Sequence, residues 1–402
     1  MLDQLAHIAL DDAQARRLGR SAGSWTLRRA WPRREGHVLL EYADALGRTV
    51  AGQWLADRTR LDRICRETIE TRRGSACVVA VQGRHVLLQA DGADRRLPGI
   101  DRVRALMDPS VLLVHRAERR AVLRGRFEGK TVYAKVRRPG ASTVAAIDAG
   151  QLAARSVFQG SVSCPQLVRA EPEQGVAVWS AVPGVSLHDR LASHAPPHTD
   201  EIERIALAVG VALKKLHTAP AMPTQPVHGP SDEAAILSRW QNHLRWACPD
   251  RASRIEPLIE SVCRRLARLP RVCAPIHRDL HDKQILIDAD GGLGMIDFDT
   301  LALGDPALDL GNLIAQARLR VVQCVWPPKI AERFIAALLD AARPDAAARA
   351  RLEVWIEAAS LRLACVYAFR PRWSRLVFGA LTATSRAEPH PDPAFVGAMS
   401  KA

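Results

Sequence analysis

The stretch APIHRDLHDKQILIDADGGLGMIDFDTLALGDPALDLGNL, residues 274–313, decides how this 402-residue chain is read. Its polar residues do not follow the spacing of a solvated helix or strand face. Two short apolar runs, ILI at 285–287 and GMI at 294–296, flank Asp290, Gly291 and Gly292, and turn residues between strand-like runs predict a hairpin. His277, Asp279 and Gln284 stand in a loop before the first strand, and Asp297 follows the second. The strand ends are therefore expected to bring Asp279, Gln284 and Asp297 together.

Working outward, the chain divides by period. Three strand-like runs begin at Ser110: VLLVH, AVLRGR and TVYAKV, joined by the turns RAER and FEGK, which predicts an antiparallel meander. A helical stretch, STVAAIDAGQLAARSVF, follows, with Ser142 as its candidate N-cap. The runs QLVRAEP and GVAVWSAV lead to Val182-Pro183-Gly184, where the chain is expected to cross into another lobe. Beyond Val185, apolar residues recur at intervals of three and four in long segments such as DEIERIALAVGVALKKLH and RASRIEPLIESVCRRLARL, the mark of amphipathic helices. Ahead of the meander, HVLLEYADALGRTVAGQWLAD reads as a hairpin turning at Gly47 and ACVVAVQGRHVLLQAD as another turning at Gln82 and Gly83. The helical spacing of DRTRLDRICRETIE lies between them.

Phosphoryl transfer asks a protein chiefly for positioning and charge neutralisation: one carboxylate to orient a hydroxyl and hard oxygen ligands for a magnesium ion. Asp279, with Asp297 and the amide oxygen of Gln284, supplies that set. The run His277-Arg278-Asp279, then Gln284, Ile296-Asp297-Phe298-Asp299, Gly304-Asp305-Pro306 and Asp309, resembles the catalytic core of the aminoglycoside phosphotransferase and choline kinase family of protein-kinase-like small-molecule kinases. The resemblance implies that Asp279 is the catalytic base and His277 braces its loop. It also implies that Gln284 and Asp297 bind Mg²⁺, and that Asp305 and Asp309 hold the following helix and loops. Gln284 departs from the asparagine usual there, and its extra methylene moves the amide oxygen by roughly an ångström.

Such kinases also need a small-lobe lysine for the nucleotide phosphates, held by a helix carboxylate. Lys135, in the third strand of the meander, takes that place. Asp148 is the only carboxylate between Lys135 and Glu171 and is the expected partner, with Gln151 as the alternative. The turn Arg116-Ala117-Glu118-Arg119-Arg120 carries no glycine to close backbone amides on phosphate, so Arg119 or Arg120 is the candidate phosphate contact there. The fold expected is α+β, a protein-kinase-like two-lobed fold with an extra N-terminal α+β unit. Its divisions fall at 1–105 (a cap-like unit, read as packing on the next lobe), 106–185 (a small antiparallel β lobe) and 186–402 (a large helical lobe carrying the catalytic loop).

The function expected is an ATP- or GTP-dependent, Mg²⁺-requiring phosphotransferase acting on a hydroxyl of a small molecule such as a sugar, an amino alcohol or an aminoglycoside-like compound. The competing reading is a catalytically degenerate kinase-like protein that binds nucleotide or scaffolds a partner. A net charge of +14 invites a nucleic-acid reading, but the arginines are scattered among acids without interleaved aromatics, and no lysine precedes Lys130, so no nucleic acid is expected. The same basic balance sits poorly with a polycationic acceptor. Eight widely spaced cysteines read as reduced, mostly buried thiols. With no leader-like start and no apolar run of membrane-spanning length, a cytoplasmic address without a membrane partner follows. The oligomeric state is left open.

Overall fold

The computed structural model describes residues 2–71, 77–192, 197–221 and 225–384; the side chains of 82, 141–149 and 383–384 lie outside that description. Its N-terminal unit opens with helix α1 (Leu2–Leu5), strand β1 (His7–Leu10) and helix α2 (Asp12–Arg17). Strands β2 (Gly23–Arg34), β3 (His37–Ala43) and β4 (Thr49–Leu55), helix α3 (Arg58–Thr71), and strands β5 (Val78–Val81) and β6 (Val86–Gln89) follow. The strands form one sheet in the order β1-β2-β3-β4-β6-β5. Both expected hairpins are present. At the first, Gly47 takes a positive φ of 75°, and Asp44 Oδ1 accepts from the amides of Leu46 (3.0 Å) and Arg48 (2.9 Å), a side chain standing in for a backbone turn.

One sheet face is closed by α3, whose Leu61 and Ile64 pack with Leu55, Val78 and Leu87. The other face does not end in solvent. Ile8, Trp25, Leu27, Leu40 and Tyr42 belong to the same apolar core as the helical lobe, and the Ala30 amide donates to the carbonyl of Phe369 at 2.8 Å.

Helix α4 (Gly99–Leu106) leads into the small lobe: β7 (Ser110–Arg116), β8 (Arg120–Phe127), β9 (Lys130–Arg137), helix α5 (Ala141–Phe158), β10 (Leu167–Glu171) and β11 (Val176–Ser180). The sheet order is β10-β11-β9-β8-β7, all antiparallel. Alternation along β9 assigns its faces. Val132, Ala134 and Val136 are buried with Ile100 and Val103 of α4, so Tyr133, Lys135 and Arg137 face the other way. The N-cap position of α5 is Gly140, two residues before the expected Ser142.

The chain crosses at β12 (Val185–Ser186) and α6 (Leu187–Leu191) into α7 (Thr199–His217), β13 (Val227–His228), α8 (Pro230–Ala247) and α9 (Pro249–Leu266). Gly184 marks the crossing: it has φ +108°, and a Cβ there would lie 2.5 Å from the Ile287 backbone, so both conformation and space call for glycine. The catalytic-loop region contributes β14 (Ala274–Ile276), β15 (Ile285–Ile287), β16 (Leu293–Met295) and β17 (Ala302–Gly304). Two three-stranded sheets result, β12-β15-β16 and β13-β17-β14. Helices α10 (Pro306–Val322), α11 (Pro328–Ala342), α12 (Ala346–Ala368) and α13 (Ser374–Thr384) complete the lobe. Among the described residues no helix is long and apolar enough to cross a membrane. Among the described residues no disulfide joins the cysteines, and Cys365 is fully buried while Cys273 and Cys324 are exposed and the other five are half-buried, which corrects the expectation of mostly buried thiols.

Candidate active site

The hairpin of β15 and β16 pairs as the spacing implied, with Ile285 opposite Met295 and the Ile296 amide donating to the Gln284 carbonyl at 3.0 Å. Its two polar ends are thereby adjacent. Gln284 is buried, and its Oε1 lies 3.3 Å from the His281 amide. Asp297 takes a left-handed backbone conformation, φ 70° and ψ 48°, unusual for a non-glycine residue. That bend turns its carboxylate toward the small lobe.

There it meets Lys135, whose Nζ donates to Asp297 Oδ1 and to Asp299 Oδ1, both at 2.7 Å. Arg137, next but one along β9 and so on the same face, donates to Asp299 Oδ2 at 2.6 Å. Burial pushes the Asp297 pKa up, but Lys135, with Arg120 and His277, outweighs it and holds the carboxyl well below the usual range. Asp299 had no role in the sequence reading. Its signal was present as two cations at i and i+2 in a strand matched by two aspartates at i and i+2 in a turn. The side chain of Asp148, the expected partner of Lys135, lies outside the described residues. Gln151 is buried with its Oε1 unpartnered, and a Cβ on neighbouring Gly150 would stand 2.5 Å from the Phe298 carbonyl, so α5 packs directly on the Asp-Phe-Asp segment.

His277 ties that segment to the loop holding Asp279. Its ring lies 4.8 Å from the Phe298 ring, its Nε2 is 3.1 Å from the Ile296 carbonyl, and its own carbonyl accepts from Thr300 at 3.1 Å. Beneath it, the fully buried Asp309 accepts from the amides of His277 (2.8 Å) and Arg278 (2.7 Å) and pairs with His217 Nε2 at 3.0 Å. Arg278 has φ 73°, and its carbonyl accepts from Asn312 Nδ2 at 2.7 Å. Asp279 follows, exposed and with no side-chain partner among the described residues. Burial, with His277, lowers the His281 pKa against the charges of Asp279, Asp282 and Asp297. Asp305 caps α10 through Ala307 and accepts from Arg351 and Trp355.

Asp282, three residues past Asp279 in the same loop, does not face the cleft. It is fully buried, held by Arg320 at 2.6 and 2.9 Å and by His188 Nδ1 at 2.8 Å. The turn between β7 and β8 leaves Arg119 exposed and fastens Glu118 inward, where it accepts from Arg95 at 2.7 Å. The cross-strand register places Arg116 opposite Arg120 and Arg120 opposite Arg137, a row of three guanidinium groups on the sheet face that also bears Lys135.

A small antiparallel lobe with an inward lysine, set over a helical lobe whose loop and hairpin present two aspartates, defines the protein-kinase-like class of phosphotransferase folds. The sequence profile of the phosphotransferase enzyme family (APH) matches residues 108–355, and the chain belongs to that family. Among solved structures it is similar to a thermostable mutant of aminoglycoside phosphotransferase APH(4)-Ia, at 14% identity over 70% of this chain and 96% of that one, with a TM-score of 0.50. It is also similar to a Plasmodium vivax ethanolamine kinase (12% identity, 74% of this chain and 86% of that one, TM-score 0.46). A macrolide 2'-phosphotransferase from Brachybacterium faecium aligns at 18% identity over 73% of this chain and 99% of that one, with a TM-score of 0.44. No protein of curated function matches the sequence.

Proposed function

We propose that the chain transfers the γ-phosphoryl group of ATP or GTP to a hydroxyl of a small molecule, with Asp279 as the base. The observation that carries this reading is the ion pair between Lys135 and Asp297 across the interlobe cleft, beside an exposed Asp279 on a loop braced by His277 and Asp309. In the reaction the acceptor oxygen forms a bond to the γ-phosphorus and the bond to the β–γ bridging oxygen breaks. The nucleoside diphosphate leaves, and the hydroxyl proton passes to the Asp279 carboxylate. In this reading Lys135, which is ion-paired to Asp297 and Asp299, takes α- and β-phosphate oxygens, while Arg137 and Asp299 keep the strand and turn together.

Asp297 and the Gln284 amide oxygen suit a hard cation, since both are oxygen donors on adjacent strand ends and the contact of Gln284 with the His281 amide is long. Bound there, Mg²⁺ would neutralise charge on the transferred phosphate. The test is nucleoside diphosphate release from MgATP or MgGTP over a panel of sugars, amino alcohols, aminoglycosides and their phosphorylated or carboxylated relatives. Asp279→Asn is expected to lower turnover by about 10²-fold or more with nucleotide binding retained. Undiminished turnover in that variant refutes the mechanism. Nucleotide binding without turnover of any acceptor favours the catalytically silent reading.

A further inference from the structure

The arginine row on the small-lobe sheet continues beyond the groups that the phosphate-binding reading uses. At one end Arg137 is neutralised by Asp299. At the other, Arg116 leaves the sheet with its guanidinium 4.6 Å over the ring of Trp31, a residue of β2 in the N-terminal unit. The Ala30–Phe369 hydrogen bond holds this part of β2 against the end of α12, where Arg370 lies 4.0 Å over the Tyr367 ring. Arg29 flanks Ala30 from the other side. Three parts of the chain that are far apart in sequence thus deliver Arg29, Arg116 and Arg370 to one place.

Little there balances the charge. Arg29 has a loose contact with Glu41 at 3.6 Å, and neither Arg116 nor Arg370 forms an ion pair among the described residues. The Nε atoms of Arg116 and of its cross-strand partner Arg120 are buried with no hydrogen-bond partner. Burial pushes Arg116 down to about 9, with Arg120, Arg29 and Arg370 acting in the same direction against Glu41; burial lowers Arg370 as well, against Tyr367 and Glu41. Tyr367, which burial alone would raise, is lowered by Arg370 and Arg320. Three other arginines drawn into the structure do meet carboxylates: Arg320 with Asp282, Arg351 with Asp305, Arg362 with Glu233. Desolvated like charges side by side cost free energy unless a counter-charge arrives, and a planar guanidinium fork suits phosphate or carboxylate oxygens.

The place adjoins the chemistry. Arg116 stands opposite Arg120 and Arg120 opposite Arg137, whose guanidinium donates at 2.6 Å to Asp299, two residues past Asp297. We propose that Arg29, Arg116 and Arg370 form an anion-binding subsite, completed by the N-terminal unit, which holds a phosphate or carboxylate group of the hydroxylated acceptor. This rests on the phosphotransferase reading above and narrows it: the acceptor is an anionic hydroxyl compound, and the N-terminal unit is a wall of its pocket.

The experiment is a thermal-shift titration of the full chain with inorganic phosphate, alone and with saturating Mg²⁺ and the non-hydrolysable nucleotide AMP-PNP, alongside ribose 5-phosphate and ribose as probes. Stabilisation by phosphate and by ribose 5-phosphate, but not ribose, is expected to persist with AMP-PNP bound. Arg29→Gln and Arg370→Gln should each weaken it at least tenfold while leaving the AMP-PNP shift in place. Loss of the phosphate effect when AMP-PNP is present assigns the cluster to nucleotide phosphates and overturns the proposal, as does an effect untouched by both substitutions. Should Arg370→Gln fail to fold, Arg29→Gln, at a half-exposed position, decides. If AMP-PNP itself produces no shift, the kinase reading fails, and the phosphate titration without nucleotide still decides for or against the anion subsite.

Discussion

Replacing Asp309 with asparagine separates the support of the catalytic loop from its chemistry. The carboxylate is wholly buried and accepts from two consecutive amides, those of His277 and Arg278, and from His217. Asparagine keeps the shape but offers one acceptor oxygen. Its amide nitrogen then opposes one of the two backbone N–H groups. Losing a charge-assisted hydrogen bond costs about 1.5–3 kcal/mol, and the stranded buried donor about 1–3 more, so Asp309→Asn is expected to destabilise the protein by about 3–5 kcal/mol. The loss also frees Arg278 from its left-handed conformation, and Asp279 moves with it. The assay is urea unfolding followed by tryptophan fluorescence, with turnover measured well below the unfolding midpoint. Turnover should fall even where the variant is fully folded. A destabilisation under about 1 kcal/mol with unchanged turnover refutes the argument that Asp309 organises the loop.

Asp279→Asn should do the opposite, changing unfolding free energy by no more than about 0.5 kcal/mol, because an exposed group without partners has little to lose; calorimetry on the pair of proteins checks this. Asp282→Ala should cost about 3–5 kcal/mol by stranding the buried Arg320, read in the same urea assay, with Asp282→Ala plus Arg320→Leu recovering part of the loss. Arg362 and His228 outweigh burial and hold Glu233 down to about 2. With the folded value below the unfolded one, its contribution is full above about pH 5 and disappears as pH falls from there through 2. Between pH 5 and pH 2, Glu233→Gln is therefore expected to lose about 3 kcal/mol less stability than the parent, measured by urea midpoints at each pH.

What could be read in the sequence was mostly local. The hairpins turning at Gly47 and at Gln82 and Gly83, the meander from Ser110 and the β15–β16 hairpin all carry turn residues between period-2 runs, and each is present. Strand β2 was not read, because register shifts at Leu27/Arg29 and Pro32/Arg34 break its alternation and its arginines occupy the edge that meets other lobes. The two-residue strand at Val227 pairs in parallel with Leu303, a contact too short and too distant to leave a period. Asp282 shares the polar loop of Asp279, and nothing local separates the two; only the position of Arg320 on a later helix shows that it points into the protein. Asp299 was visible in the run Asp-Phe-Asp, but its bond to Lys135 depends on how the two lobes face each other. The N-terminal sheet was read as packing on the next lobe. It reaches both, through Trp31 to Arg116 and through Ala30 to Phe369.

The central claim is a nucleotide site built on Lys135 and Asp297, and the most direct measurement is thermal stabilisation by ATP and GTP, each with and without Mg²⁺, in the parent and in Asp297→Asn. A ligand that binds only the folded state at 100 times its dissociation constant adds about 2.7 kcal/mol. The account predicts a clear magnesium-dependent shift in the parent and its loss in the variant. No shift with either nucleotide at millimolar concentration, or an equal shift in Asp297→Asn, contradicts it.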